Sequence, residues 1–552
     1  MQNARKGARF ALALAIALGT LAAACNALLD FESFSVGTAD GGGGGLQDGR
    51  VPPDAGADDG GCIDPAGFGG RGCWRCPPTN NVELLSACTR SSFETFDNAA
   101  RITNFDPGVP RPALEDAGPN PPDFDAGGSG GGGSLTDAAC PFADPNLPNP
   151  VLVMGASGFP LETVAKAMGN EATIYYREES SCLGVGGAVQ NTPKMSGPNL
   201  ASANYGYITY FDKSLTPVVS KSCRLEQDMQ PDVYLSALFP ESCAGAEVAR
   251  NMGQPVRLGA TPALNSGYED FFGVVNPVMF AVPGGSSERS VTAEAAYRIY
   301  GFGSKGTFGA TVAPWIDESF IFRRTSSSGT QQSVARSLLL AIDALRGVNS
   351  TGASAMRRAF QQSTAPAKTI GISTSEIVDI DRDSMKSLAY QHYGQPVAFY
   401  PDSEPGLLDR RNVRDGHYFL WIPLHIFVKT NQGDPAASNN TDLETIAART
   451  KPQRDAAVKQ LVFVMANRAP APVTSIDLFG AIKRVGNVPT CAMRVTRSKE
   501  GADLTPLVPS ASCACAFESA APRSPGVECI QCKSPGDCTA IGKATCSFGY
   551  CE

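Results

Sequence analysis

The chain has little histidine and no apolar run long enough to cross a bilayer. Its 552 residues include three histidines, His392, His417 and His425, which are too scattered to form a zinc motif. Lys and Arg number 46 against 54 Asp and Glu, for a net charge of −8, so no basic surface is expected for nucleic acid. The sequence shows no Walker loop and no nucleophile–base pair, so we expect no enzyme, no cofactor and no metal site.

The N-terminus has the pattern of a secretory signal. Residues 1–24 hold three basic residues, no acid and an apolar stretch of about 15 residues, short of the ~20 that a membrane helix needs. Residues 22–25, Ala-Ala-Ala-Cys, resemble the lipobox of bacterial lipoproteins, in which the cysteine is lipidated. We therefore expect lipidation at Cys25 and a lipid-anchored protein of the cell envelope, at the outer membrane or the periplasmic face. Ala22 stands where the usual residue is Leu, which leaves cleavage by the general signal peptidase open.

Cysteine, by contrast, is abundant and odd in number. Of the 17 cysteines, 16 remain when Cys25 is set aside, and all of these can pair in an oxidising compartment. They fall in three even groups: Cys62, Cys73, Cys76 and Cys88; Cys140, Cys182, Cys223 and Cys243; and Cys491, Cys513, Cys515, Cys529, Cys532, Cys538, Cys546 and Cys551. Zinc is the alternative for the last group, which contains a Cys-x-x-Cys. The absence of a nearby histidine favours disulfides.

The amino-acid composition changes along the chain and divides it into segments. Glycine, proline and aspartate dominate residues 25–61 and 105–149. Stretches of this composition cannot bury enough apolar surface to fold. We predict a signal peptide at 1–24, a lipidated flexible tether at 25–61, a Cys-rich module at 62–104, a linker at 105–149, a two-lobed domain at 150–468 and a Cys-rich C-terminal module at 469–552.

Residues 150–468 alternate short apolar strands with amphipathic helices. Val151-Leu-Val-Met is typical of a buried strand, and a helical pattern follows from Leu161. This alternation predicts an α/β architecture with largely parallel sheets. The segment has about 320 residues, and a single hydrophobic core rarely supports a domain of that size. We therefore expect two lobes.

The segment most indicative of function follows an apolar strand that ends in two arginines. A Ser/Gly/Thr turn opens a helix there, and a helix N-terminus offers free N–H groups and a positive dipole end to an oxyanion. Ser328 and Thr330 add hydroxyl donors, and Arg324 adds a guanidinium. The alternative is an ordinary Ser/Thr helix cap after a surface arginine pair.

The order of these segments resembles the phosphate-binding proteins of ABC importers, which have the type II periplasmic binding protein fold. Residues 324–330 match the family's Arg-x-Asp-x-Ser-Gly-Thr loop, and residues 156–160 match its first loop, Gly-Ala-Thr-Phe-Pro. The family's Gly-Ser-Ser-Gly loop falls on Ser180 and Ser181, and its Ala-Ser-Asp turn falls on residues 235–237.

The resemblance implies a two-lobed α/β fold that binds a small oxyanion such as phosphate between its lobes, without catalysis, and delivers it to an ABC permease. It implies these ligand-binding residues: Gly158, Phe159, Ser180, Ser181, Ser236, Arg324, Ser326, Ser328, Gly329 and Thr330.

The chain departs from the family at two acidic positions of the site. Ser326 and Ala237 stand where the family has carboxylates, one of which accepts a protonated phosphate oxygen. Glu178 and Glu179 are available as substitutes, although a solvated position is expected for both. The loss of the acids leaves a second interpretation open, namely a surface scaffold or interaction protein with a degenerate binding-protein fold.

Overall fold

A computed structural model gives the structure of the part of the chain that follows the predicted tether. It describes residues 61–109, 111–112, 138–156, 158, 161–190, 206–213, 215, 218–251, 254–303, 311–326, 328–350, 353–437, 441–466, 478–520, 529–543 and 545–552. The predicted signal peptide, nearly all of the tether and most of the linker lie outside the described residues. So does Cys25, the predicted lipidation site.

The elements of the first half begin in the N-terminal Cys-rich segment and run to a long strand. They are β1 (Ile63–Asp64), α1 (Gly67–Gly70), β2 (Cys73–Trp74), α2 (Asn81–Leu85), β3 (Phe93–Glu94), α3 (Asn98–Arg101), β4 (Pro150–Gly155), α4 (Leu161–Met168), β5 (Thr173–Glu178), α5 (Ser181–Gln190), β6 (Tyr207–Asp212), β7 (Val219–Arg224), β8 (Val233–Ser236), a 3-10 turn (Pro240–Cys243), β9 (Glu247–Asn251), β10 (Gln254–Arg257) and β11 (Tyr268–Pro283).

The second half alternates further and ends in short elements. They are β12 (Ser290–Thr292), α6 (Ala293–Phe302), a 3-10 turn (Glu318–Phe320), β13 (Ile321–Arg323), α7 (Gly329–Ser337), β14 (Val348–Asn349), α8 (Ala353–Gln361), a 3-10 turn (Pro366–Lys368), β15 (Ile370–Thr374), α9 (Ser375–Val378), β16 (Met385–Ser387), β17 (Ala389–Gln391), β18 (Ala398–Phe399), α10 (Arg411–Asp415), β19 (Trp421–Asn431), β20 (Asp434–Pro435), α11 (Thr441–Ile446), α12 (Lys451–Met465), α13 (Leu478–Arg484), β21 (Val488–Pro489), a 3-10 turn (Thr490–Ala492), β22 (Val495–Thr496), β23 (Thr505–Pro506), α14 (Ala514–Ser519), α15 (Pro535–Thr539), β24 (Cys546–Ser547) and β25 (Tyr550–Cys551).

The largest sheet has the strand order β14-β13-β15-β11-β19-β8-β4-β5-β6-β7. Strands β5, β4 and β8 are parallel and form the centre of a first lobe, and β14, β13 and β15 are parallel and form the centre of a second. Strand β11 belongs to both lobes, because its first part pairs with β19 and its last part with β15 and β16. The two-lobed α/β fold expected from the sequence is confirmed. The expectation of largely parallel sheets is wrong, because β11 and β19 cross between the lobes and pair antiparallel with their neighbours, as β5, β6 and β7 do at the edge.

The side chains of β4 point alternately to the two faces of the first-lobe sheet and pack against helices on both. Val151 and Val153 pack with the apolar side chains of α4 and α12. Leu152 and Met154 point to the other face and pack with α5. Successive strand residues point to opposite faces, so a strand covered on both sides must be apolar throughout, as the run Val-Leu-Val-Met is.

Buried ion pairs join separate elements within each lobe. In the first lobe, the Arg454 guanidinium of α12 lies 2.5 Å from Asp232, and Asp232 also accepts a hydrogen bond from the Leu152 N–H. In the second lobe, Arg410 pairs with Asp379 and Asp402. Removing one partner of such a buried pair typically costs about 3–5 kcal/mol, so these pairs fix the elements that they join.

All sixteen cysteines outside the signal and tether region form disulfides. The pairs are Cys62–Cys76, Cys73–Cys88, Cys140–Cys223, Cys182–Cys243, Cys491–Cys513, Cys515–Cys529, Cys532–Cys546 and Cys538–Cys551. Each pair falls within one of the three groups predicted from the sequence. The C-terminal group is paired as disulfides rather than arranged around zinc, and the disulfide-rich ends expected from the sequence are confirmed.

The Cys-rich ends pack on the lobes rather than standing apart from them. Strand β3 of the N-terminal segment completes a four-stranded sheet with β18, β17 and β12. Strand β21 of the C-terminal segment pairs with β11. The predicted boundaries at residues 104 and 469 stay predictions. Within the described ranges, no helix has the length and apolar character to cross a membrane.

Two buried histidines make the stability of the fold sensitive to acid. The His392 ring stacks on Phe419 at 3.6 Å between centroids, and its Nδ1 lies 2.9 Å from the Tyr390 hydroxyl. Burial, aided by the positive charge of Arg497, lowers the pKa of His392 well below its ordinary value. Burial also lowers the pKa of His417. Both side chains are therefore neutral in the folded protein and must gain protons when it unfolds in acid.

We expect His392→Gln to flatten the pH dependence of stability. An unfolded histidine titrates near pH ~6.5, and the folded pKa of His392 is lower. The His392 contribution to stability is thus complete above ~6.5 and is lost as the pH falls below it, by up to ~1.4 kcal/mol per pH unit. Urea unfolding from pH 7.5 to 5 with the disulfides intact measures this slope. Equal slopes for the variant and the native protein would contradict a neutral buried His392.

Candidate functional site

The loops predicted to form the site meet where α5 of the first lobe and α7 of the second lobe begin. A Cβ atom built on Gly329 would lie 3.0 Å from the Ser181 Oγ and 3.1 Å from the Ala237 Cβ. Gly329 is the first residue of α7, Ser181 is the first of α5, and Ala237 follows β8. Three segments that are distant in sequence are thus in contact, as the family resemblance implies.

The Ser180–Ser181 pair opens α5 and links it to the turn after β8. The Ser180 carbonyl accepts hydrogen bonds from the N–H groups of Leu183 and Gly184. The Ser181 Oγ accepts a hydrogen bond from the Ala237 N–H at 3.3 Å. A hydroxyl that accepts still holds its own hydrogen, so Ser181 keeps a donor at the contact between the lobes.

Ser236 shapes the turn on which Ala237 lies. Its buried hydroxyl donates to the Leu238 carbonyl at 2.8 Å and accepts from the Leu238 N–H at 2.9 Å. The single donor of this hydroxyl is therefore used within the turn. Its predicted contact with a ligand stays a prediction.

The first predicted loop, which follows β4, is held by a residue outside the family match. The Gly158 carbonyl accepts a hydrogen bond from the Asn487 Nδ2 at 2.9 Å, and the Leu424 side chain fills the space where a Cβ of Gly158 would stand. Phe159 lies outside the described residues.

At the start of α7, the side chains do not form an ordinary helix cap. Ser328 occupies the N-cap position with extended backbone, yet its side chain makes no capping hydrogen bond. The Ser328 N–H donates to the Thr325 carbonyl, and the Ser326 carbonyl accepts from the Gln332 side chain at 3.1 Å. The backbone thus shapes this turn, and the Ser328 hydroxyl is not used to cap the first turn of α7, where Thr330 is buried.

Glu376 is a carboxyl group near the candidate site that was not predicted from the sequence, and the charge of Arg324 acts on its pKa. Glu376, in α9, accepts a hydrogen bond from the Asn276 Nδ2 at 2.6 Å, and the Ser375 hydroxyl donates to the Asn276 Oδ1 at 3.0 Å. Burial raises the pKa of Glu376, while the hydrogen bond from Asn276 and the positive charge of Arg324 act in the opposite direction. Glu376 follows β15, and the position of side chains just after a strand of the second lobe is the signal that would have found it.

Glu179 takes a different position from the solvated one expected. Its carboxylate lies 2.6 Å from the Arg177 guanidinium, with 14% of its side chain exposed, and its N–H donates to the Gly155 carbonyl. The expectation was wrong because the neighbouring arginine draws the carboxylate back against the end of β5. Glu179 is therefore already engaged in an ion pair next to the predicted loop.

Helix α7 is polar and yet buried, since all of its residues except Arg336 are shielded from solvent. Four of its oxygens find no hydrogen-bond partner among the described residues: Gln331 Oε1, Gln332 Oε1, Ser333 Oγ and Ser337 Oγ. Buried polar atoms are nearly always hydrogen-bonded to protein, water or a ligand. A polar helix of this kind between two lobes is suited to line a cleft that holds water or a polar solute.

Comparisons with known proteins return similar structures only. No protein-family model matches the chain, and no curated protein matches it. A substrate-binding protein with bound phosphate from Clostridium perfringens, named for phosphate ABC transport, is 11% identical with a TM-score of 0.33, covering 62% of this chain and 100% of its own. An ABC-type phosphate transport receptor from Vibrio cholerae is 11% identical with a TM-score of 0.30, covering 55% of this chain and 96% of its own.

A protein of another class is similar to the same degree. The reduced OxyR regulatory domain from Pseudomonas aeruginosa is 7% identical with a TM-score of 0.28, covering 57% of this chain and 98% of its own. At these values none of the three proteins indicates what this chain binds, and one architecture serves unrelated functions.

We expect Gly329→Ala to disturb the contact between the lobes. The added methyl would press on Ser181 and Ala237, and overpacking of this kind costs about 1–3 kcal/mol. Gly259→Ala is the matched control, because a Cβ there meets no atom within 4 Å. Urea unfolding compares the two variants. Equal stability of both would show that Gly329 is not in tight contact.

Proposed function

We propose that this protein binds a small oxyanion such as phosphate between its two lobes, at the N-termini of α5 and α7, and performs no covalent chemistry on it. The observation that carries the proposal is the convergence of Ser181, Ala237 and Gly329, which brings two helix N-termini together from opposite lobes. Each N-terminus offers unpaired N–H groups and the positive end of a dipole. Two of them at one place favour an anion.

Side chains around this point supply both signs of charge. Arg324, which precedes the turn into α7, provides a guanidinium that suits bidentate binding of an oxyanion. Its positive charge lowers the pKa of Glu376, against the larger effect of burial. We assign Glu376 the part of the carboxylates lost at Ser326 and Ala237, since burial raises its pKa and a carboxyl group with a raised pKa can share a proton with an oxyanion.

The absence of catalysis is inferred from where the histidines lie. His417 contacts the Ala87 carbonyl at 2.8 Å, His425 contacts Asp270 at 2.7 Å, and His392 contacts Tyr390. None of these three contacts is with Ser181 or Ser328. Among the described residues no histidine is hydrogen-bonded to the Ser181 or Ser328 hydroxyl, so we expect neither to act as an activated nucleophile.

A second candidate function is a surface scaffold or interaction protein whose cleft holds no ligand. The close approach of Gly329 to Ala237 favours it, because the lobes touch where the anion of a binding protein would lie. The two candidates differ in whether an anion stabilises the protein.

We expect phosphate to stabilise the native protein and Arg324→Gln to remove much of that effect. A ligand at about 100 times its Kd adds ~2.7 kcal/mol to the free energy of unfolding. A thermal-shift panel of phosphate, sulfate, phosphonates and carboxylates measures the effect. Arg358→Gln, an exposed arginine on α8, is the control and should respond as the native protein does. A flat response of the native protein to the whole panel would favour the scaffold.

We further propose that the protein is anchored in the cell envelope through lipidated Cys25, where an ABC permease would be its partner in uptake of the ligand. The support is the signal pattern, the residues 22–25 and the odd cysteine count. A single acyl chain gives weak, reversible binding, so stable anchoring needs more than one chain on this residue.

We expect Cys25→Ser to abolish incorporation of an alkyne-tagged fatty acid and to release the protein from the membrane fraction. The matched control is Ala22→Leu, which restores the usual lipobox residue and should label at least as well as the native chain. Equal labelling of the native chain and Cys25→Ser would overturn the assignment of the anchor.

A further inference from the structure

We propose that residues 486–501, here named the C-terminal strap, bind both lobes and the strands between them, hold the lobes together and position two loops of the anion site. The strap lies outside the region that the resemblance covers. Its contacts are polar, buried and distributed over the first lobe, the crossing strands and the second lobe.

In the first lobe the strap holds the loops that follow β4 and β8. Asn487, which is fully buried, donates to the Gly158 carbonyl at 2.9 Å. Glu500, with 3% exposed, accepts the Phe239 N–H at 2.7 Å and the Ser242 hydroxyl. Gly158 and Phe239 belong to the two loops that bring the first lobe to the site.

At the crossing strands the strap forms part of the sheet. Val488 and Pro489 pair antiparallel with β11, opposite Val275 and Val274. The neighbouring Thr490 hydroxyl donates to the Gly273 carbonyl. The strap is therefore fixed to the strand that both lobes share.

Arg497 fixes the strap to the segment that leads into the second crossing strand. Its guanidinium lies 4.5 Å from the Phe419 ring and 4.0 Å from the Trp421 ring, and donates to the Phe419 carbonyl at 2.6 Å. Only 4% of Arg497 is exposed. A desolvated cation over two aromatic rings is worth about 2 kcal/mol or more, so this contact is a strong one.

In the second lobe the strap reaches a buried ion pair and α7. The Gly486 carbonyl accepts the Arg410 Nε–H at 2.8 Å, and Arg410 pairs with Asp402 at 2.5 Å. Just beyond Glu500, Gly501 packs so closely on Arg336 of α7 that a Cβ would lie 2.9 Å from the Arg336 backbone. The Cys491–Cys513 disulfide then ties the strap to the segment that continues into α14.

These contacts predict lobes that stay closed without a ligand. Opening them would leave Glu500 and Asn487 without partners, at about 1–3 kcal/mol for each buried group. Loss of the strap contacts would populate open states, and a site that is competent only when closed then loses affinity in proportion. The effect on affinity rests on the proposed function, whereas the effect on the lobes does not.

The test measures the distance between the lobes by pulsed electron spin resonance in the full-length protein without phosphate. Spin labels at Asn170 and Arg358, both exposed and one in each lobe, are attached through an unnatural amino acid so that the disulfides stay intact. Asn487→Ala removes the bond to Gly158. Glu500→Gln replaces the oxygen that receives the Ser242 hydroxyl and is the milder variant.

We expect one narrow distance for the native protein and a second, longer component for both variants. Ser498→Ala is the control, since Ser498 is an exposed strap residue, and it should match the native protein. A broad or bimodal distance distribution for the native protein would contradict the proposed role of the strap. So would variant distributions that superimpose on the native one.

Calorimetric titration with inorganic phosphate then separates the two proposals. We expect the Kd to rise by up to about tenfold in the variants. If the distances change as expected but the protein does not bind phosphate, the role of the strap is supported and the proposed function is contradicted. Phosphate binding with unchanged distances would do the reverse.

Discussion

One continuous strand, Tyr268–Pro283, takes part in the sheets of both lobes, and the placement of the other elements follows from it. Its first part is hydrogen-bonded to β19 and, through β19, to β8 and β4. Its last part is hydrogen-bonded to β15 and so to β13. Because ladder hydrogen bonds fix the register of each neighbour, the ends of β4 and β8 and the start of α7 are brought to the same place.

The features that depend on local pattern could be predicted from the sequence. The run Val-Leu-Val-Met in β4 signals a strand buried on both faces, and the disulfides pair within the three groups that the division of the chain into segments suggests. The turn into α7 could be placed because Arg324 and Gly329 fit a short motif. The contact of Gly329 with Ser181 follows from the order of the loops, which the family resemblance supplied.

The features that depend on distant contacts could not be predicted. Glu376 has no motif around it, and only the pairing of β13 with β15 brings the segments that contain Arg324 and Glu376 to neighbouring strands. Glu500 reads as an ordinary loop acid, although it contacts Phe239 across a sequence separation of 261 residues. From the sequence, the segment containing Glu500 looks like part of a separate Cys-rich module. Composition describes the local sequence and not the contacts that a segment makes in the fold.

The proposed site and the proposed strap together imply a binding protein with little freedom to open. Two-lobed binding proteins commonly close around their ligands by hinge motion. Here Arg497 packs on Trp421 at the start of β19 and β21 pairs with β11, so the crossing strands have contacts besides their own ladder. Such a protein would exchange its ligand slowly.

The position of a bound anion tests the central claim most directly. Arsenate has the shape and charge of phosphate and scatters anomalously, so a crystal structure of the protein with arsenate locates it without ambiguity. We predict an anomalous peak between the N-termini of α5 and α7, within hydrogen-bond distance of the Ser181 hydroxyl and the Arg324 guanidinium. A peak elsewhere, or a well-ordered site with no peak at saturating arsenate, would contradict anion binding between the lobes.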